Sequence, residues 1–131
     1  MSSLGAVLID ATEELYRQVN PNFMQGETFS NQVFKPTKTD NGLLSVSRSS
    51  KSTAKEAFDR FLACGRKSIG VVAVTVEHVE AQTLKAYDDQ DSPADDPHAF
   101  IDFNGKIEDE ARRARTQLTL LAQTRWRHRA A

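Results

Sequence analysis

Apolar residues along this chain fall into short runs of different period, and each period predicts a different element. Leu4 to Ile9 is a brief apolar run that period alone leaves open between a helix and an irregular start. Leu15 to Val19 alternates, which predicts a strand with Leu15, Arg17 and Val19 on one face and Tyr16 and Gln18 on the other; Asn20 and Pro21 stop it. The polar stretch from Asn22 to Asp40 reads as an ordered loop anchored by Phe23, Phe29, Val33 and Phe34, with one short strand near Asn31 to Phe34. Asp40, Asn41 and Gly42 signal a turn, because Asn and Gly accept positive φ, and a strand over Leu43 to Arg48 follows with Leu44 and Val46 towards the core.

Thr53 and Glu56 have the spacing of a capping box, in which hydroxyl and carboxylate each satisfy the other residue's amide. Ala54, Ala57, Phe58, Phe61 and Leu62 then recur at helical spacing, so a helix is expected from Ala54 to Cys64, closed by Gly65. Ser68 to Val79 is dense in β-branched residues and too continuous to leave a face wet, which predicts a central strand. A second piece over Thr83 to Tyr87 leads into an acidic exposed loop, residues 88–97. His98 to Phe103 is a further strand with Ala99, Ile101 and Phe103 on one face and Phe100 and Asp102 on the other, and Asn104 and Gly105 turn the chain after it. A long C-terminal helix is expected over residues 106–129, with Ile107, Ala111, Ala114, Leu118 and Leu121 as its apolar seam. Its acidic start and basic end complement the helix dipole. The pattern predicts one α+β domain over residues 1–131: a small mixed or antiparallel sheet, with one mid-chain helix and the C-terminal helix packed on it.

A chain of 131 residues with 39% hydrophobic and 27% charged residues can bury a real core. The formal net charge of −1 argues against a general nucleic-acid or membrane binder, since such proteins carry a basic excess. Cys64 is the one cysteine, which excludes an internal disulfide and points to a reducing compartment. The run from Leu4 to Ile9 is too short for a signal-peptide core, and no segment approaches the roughly 20 apolar residues that span a bilayer. A cytoplasmic location is expected.

Few residues carry obvious chemistry. Cys64 sits at a helix end, where the dipole disfavours a thiolate. No serine lies in a Gly-x-Ser-x-Gly setting, which leaves serine-hydrolase chemistry without support. His78, His98 and His128 lack a second His or Cys at helical ligand spacing, and the aspartates between Asp88 and Asp96 lack the glycine and glutamate of a calcium-binding loop, so no metal site is expected. Gly65-Arg66-Lys67-Ser68 lacks the spacing of a phosphate loop. Trp126 among Arg125, Arg127 and Arg129 could stack on nucleic acid, although the overall charge favours packing on protein.

One constellation is positional. Arg17 follows Tyr16 on a first strand, Ser49, Ser50, Ser52 and Thr53 precede a helix, and His98 opens a late strand. This order resembles the layout of ADP-ribosyltransferases and RES-type toxins over roughly residues 14 to 103. The resemblance implies that Arg17 holds a nicotinamide dinucleotide, that Ser49 and Ser50 take the place of the serine motif, and that His98 stands where those families place a glutamate. The strings Leu15-Tyr16-Arg17-Gln18-Val19-Asn20-Pro21, Phe34-Lys35-Pro36, Leu44-Ser45-Val46 and Pro97-His98-Ala99-Phe100-Ile101 also resemble a family of small bacterial proteins without assigned activity.

Two readings follow. The favoured one is a non-enzymatic bacterial interaction or accessory protein, such as an operon partner in a defence or toxin system, that needs no cofactor. It would contact another chain or a second copy through Leu118, Leu121, Arg125, Trp126 and Arg129, because the helix seam offers more apolar surface than a small sheet needs. The alternative is an NAD-using transferase or glycohydrolase built on Arg17, Ser49, Ser50 and His98. A nucleic-acid contact through Arg125 to Arg129 ranks last.

Overall fold

A computed structural model describes residues 4–37, 41–93 and 95–130. In chain order the elements are β1 (Leu4–Val7), β2 (Glu14–Gln18), the 3-10 turn η1 (Pro21–Phe23), β3 (Met24–Gln25), β4 (Thr28–Phe29) and the 3-10 turn η2 (Asn31–Phe34). They continue with β5 (Leu43–Arg48), α1 (Ala54–Ala63), β6 (Gly70–Thr75), α2 (Val76–Ala81), β7 (Lys85–Asp89), β8 (His98–Asp102), α3 (Glu108–Ala122) and β9 (Trp126–Arg129). Among the described residues one sheet runs in the order β1-β7-β8-β5-β2-β6-β9, with every pairing antiparallel, and β3 and β4 form a separate hairpin. The α+β class and the antiparallel sheet are as the pattern predicts.

Local chemistry explains the elements that match. Thr53 Oγ1 accepts from the Glu56 amide at 3.1 Å while the Glu56 carboxylate accepts from the Thr53 amide at 2.8 Å, so α1 starts at Ala54. Gly65 just beyond its end adopts φ +81°, a conformation that costs a glycine nothing. Asn41 and Gly42, at φ 53° and 78°, make the turn into β5, and Asp40 of that expected turn lies outside the described residues.

Five elements differ from expectation. The strand expected over Ser68 to Val79 ends at Thr75, because a second capping box intervenes: Thr75 Oγ1 accepts from the His78 amide at 3.1 Å and His78 Nδ1 accepts from the Thr75 amide at 3.0 Å. The expected helix over 106–129 stops at Ala122, where the apolar seam runs out. Trp126 to Arg129 instead alternates half-buried and exposed, a period of two, and pairs with β6 as an edge strand. Asp88 and Asp89 belong to β7, so the acidic connection is shorter than 88–97. Asn31 to Phe34 is a 3-10 turn capped by Ser30, not a strand, and it buries Val33 and Phe34. Leu4–Val7 is an edge strand against β7.

The two faces of the sheet are covered unequally. On one, α2, α3 and η2 close over Leu15, Val19, Leu44, Val46, Val72, Val74 and Ile101 in a single apolar cluster. Each fully buried side chain of this size contributes about 1.5–3 kcal/mol. On the other face α1 lies over β2, β6 and β9, where Ala54 and Phe58 pack on Val71 and Tyr16. No helix among the described residues is long and apolar enough to cross a membrane.

Candidate functional site

Beside α1 the sheet presents polar residues where an apolar floor would normally be. Period two puts Tyr16 and Gln18 of β2, Ser45 and Ser47 of β5 and His98 of β8 on this face, away from the main cluster. The register aligns them: Tyr16 pairs with Ser47, and Ser47 pairs with His98. The next pair along, Arg48 with Pro97, is hydrogen-bonded through the Arg48 amide at 2.8 Å. Ser47 and His98 are therefore a non-hydrogen-bonded pair, the kind whose Cα atoms approach to about 4.5 Å and whose side chains lie closest.

Helix α1 supplies the wall. Ala57, Arg60, Phe61 and Cys64, with Arg66 just after the helix, bound a cleft of about 450 Å³ over that floor. Gln18 ties floor to wall by donating from Nε2 to the Ala57 carbonyl at 3.1 Å, and its buried Oε1 has no hydrogen-bond partner. Arg60 Nη2 donates to Ser52 Oγ at 3.0 Å, and the Arg66 guanidinium lies 5.7 Å from the centre of the Phe61 ring, within cation–π range. Among the described residues that line this cleft there is no Asp or Glu.

Beside His98, on the neighbouring strand β7, stands a carboxylate. Asp89 Oδ2 lies 2.7 Å from His98 Nδ1; the aspartate side chain is 8% exposed and the imidazole 34%. Burial works to raise the pKa of Asp89, but hydrogen bonds from His98, from the Asp91 amide and from the Ser92 hydroxyl outweigh it and hold the carboxyl below the ordinary aspartate value. The ring of His98 also meets Phe100 edge-on at 4.7 Å, so its orientation is fixed from two sides.

The residues singled out from the sequence are partly dispersed. Arg17 pairs in register with Val72 of the main cluster, and its guanidinium donates to the Val33 carbonyl at 2.7 Å and the Ser45 carbonyl at 2.9 Å, pinning η2 to the sheet. Ser49 Oγ accepts from the Glu14 amide at 3.0 Å, and Ser50 Oγ donates to Glu13 Oε2 at 2.6 Å. Arg17 and His98 border the cleft, and Ser49 and Ser50 are not among its lining residues. On the C-terminal side, Leu118 is fully buried in the main cluster and Leu121 is half-buried, so most of the helix seam is consumed by the sheet. The Arg125 carbonyl accepts from the Ala73 amide at 3.0 Å, Trp126 meets Phe29 edge-on at 5.6 Å, and Arg129 stacks over Trp126 at 4.1 Å. Among the described residues no cluster of His, Cys, Asp and Glu is arranged to hold a metal ion.

The sequence pattern assigns no functional role to Ser45, Ser47, Asp89, Arg60 or Arg66. The available signal was the polar half of the alternation in β2 and β5. Comparison with protein-family profiles, with curated proteins and with solved structures finds no match to this chain.

Proposed function

We propose that this chain binds a phosphorylated, ring-bearing small molecule of the nucleotide class in the cleft between α1 and strands β2, β5 and β8. The observation that carries the reading is the lining itself: Arg60 and Arg66 with hydroxyls and an imidazole, and no Asp or Glu among the described lining residues. Such a set favours anions, since guanidinium groups donate paired hydrogen bonds to phosphate oxygens and no like charge repels them. Phe61 and Tyr16 offer ring faces, and a volume near 450 Å³ suits a mononucleotide or part of a dinucleotide.

Nicotinamide dinucleotide belongs to this class, and the layout likeness to ADP-ribosyltransferases makes it one ligand to try. Cleavage of its glycosidic bond would call for a carboxylate facing the developing oxocarbenium ion, and the described lining residues include none. Calorimetric titration with AMP, ADP and NAD tests the reading. One-to-one binding is expected, weakened about tenfold or more by Arg66→Ala or Arg60→Ala, the worth of a charge-assisted contact. Absence of binding by all three at millimolar concentration refutes it.

A second reading keeps the chain as an accessory protein that contacts another chain. What favours it is β9, which among the described residues is an edge strand paired with β6 alone. A strictly monomeric protein at high micromolar concentration, with no partner recovered by its tagged form, removes this reading.

A further inference from the structure

We propose that Asp89, His98 and Ser47 form a proton relay in which Ser47 is a nucleophile, so that the cleft hydrolyses an ester of a phosphate-bearing compound. The substrate class rests on the anion-binding reading above, whereas the relay rests on geometry of its own. Strands β7, β8 and β5 are consecutive neighbours in the sheet, so the three side chains stand in one row across it. Asp89, almost fully buried, touches His98 Nδ1 at 2.7 Å. A carboxylate at that atom selects the Nδ1–H tautomer and leaves the lone pair on Nε2, on the far side of the ring. Ser47 stands on that flank of β8, in the close cross-strand pair, and both it and His98 line the cleft. Tyr16, the cross-strand partner of Ser47 on β2, brings a phenolic O–H to the same row.

The chemistry balances with water as the only co-reactant. Ser47 Oγ attacks the ester carbonyl carbon, its proton passes to His98 Nε2, and the carbonyl electrons move onto oxygen, where Tyr16 and Arg60 can donate. Collapse breaks the bond to the alcohol, which leaves with the proton from Nε2, and Ser47 carries the acyl group. Water repeats the sequence, releases the carboxylic acid and restores the serine hydroxyl. Asp89 is a positioning residue: it orients the imidazole in the Nδ1–H tautomer, which leaves Nε2 to take the proton. The motif was invisible in the sequence because its members lie on three strands, outside any nucleophile-elbow setting.

The test uses a fluorophosphonate probe on the full chain. Serine attack forms an Oγ–P bond, breaks P–F and expels fluoride, with the proton taken by His98, so intact-mass and peptide analysis reads the adduct directly. A single adduct on Ser47 is expected, absent in Ser47→Ala and slowed about 10²- to 10⁴-fold in His98→Gln. Asp89→Asn should lower the maximal labelling rate while leaving the half-saturating probe concentration unchanged, a split that a merely structural role would not produce. Circular dichroism confirms that each variant is folded. A folded wild-type chain that stays unlabelled, or one labelled equally fast in His98→Gln, overturns the relay. Labelling at Ser47 without any nucleotide binding would support the relay and refute the phosphate reading, so the two ideas fail separately.

Discussion

Glu13 and Arg48 are joined by two hydrogen bonds, Nε to Oε2 at 3.0 Å and Nη2 to Oε1 at 2.9 Å, with the glutamate side chain only 3% exposed. Arg48 extends the pair to Asp88 at 2.8 Å, and Ser50 donates its hydroxyl to Glu13. This network ties the entry to β2, the end of β5 and the edge of β7 together. Removing one member leaves a charge that water cannot fully rescue.

Glu13→Gln should therefore lower the unfolding free energy by about 3 kcal/mol, the lower end of the cost of breaking a buried pair because Arg48 keeps Asp88. Burial alone would raise the pKa of Glu13, but the bonds from Arg48 and Ser50 outweigh it and hold the carboxyl below its ordinary 4.5. A depressed folded pKa means stability present above 4.5 and lost as pH falls through the folded value. Urea midpoints of the wild type should drop in that acid range, and those of the variant should drop less.

His78 makes a prediction of the same sign, in the histidine range. Burial, then the charge of Arg125, hold its pKa below 6.5, while Glu77 and Glu14 act weakly the other way. The unfolded chain then takes up the proton more readily, so stability declines as pH falls through 6.5 and levels off below the folded value. Protonation also removes the Nδ1 acceptor that caps α2. His78→Gln retains an acceptor at that capping-box position. Its urea midpoint should match the wild type at pH 8 and exceed it at pH 5.5.

Gly70 admits β9 to the sheet. A Cβ there would meet the His128 carbonyl oxygen at 2.5 Å and Trp126 Cζ3 at 2.8 Å, so Gly70→Ala must push the last strand away. The expected cost is about 1–3 kcal/mol. Trp126, the one tryptophan, should report the displacement as a red shift in its emission.

Two leucines of α3 separate packing from surface. Leu118, fully buried, should cost about 3 kcal/mol when changed to alanine. Leu120, 60% exposed, should cost less than about 0.5 kcal/mol as serine. Chemical denaturation of both variants checks the contrast.

How much of this could be read from the chain depends on how local the cause is. β5 and α1 were legible to within a residue because alternation at Leu44 and Val46, and the Thr53 and Glu56 box, act over a few positions. Thr75 looked like one more β-branched strand residue, since a histidine is an unusual third member of a cap. Trp126 to Arg129 reads as helix because its basic residues suit a helix C-terminus, and the strand needs β6, far away in sequence, to exist. The floor of the cleft was half legible: the face shared by Tyr16 and Gln18 follows from alternation. That α1 would wall it on one side only, and that Asp89 would leave the acidic loop to hold His98, depends on tertiary packing.

A sheet floor is also a ruler. Adjacent strands lie about 4.8 Å apart, so Tyr16, Ser47 and His98 offer polar atoms to an incoming molecule at nearly even steps along one line. Selection at such a surface is by the interval between a compound's functional groups more than by its outline. Lengthening the proposed ester by one bond between its phosphate and its carbonyl should therefore slip it out of register with that line.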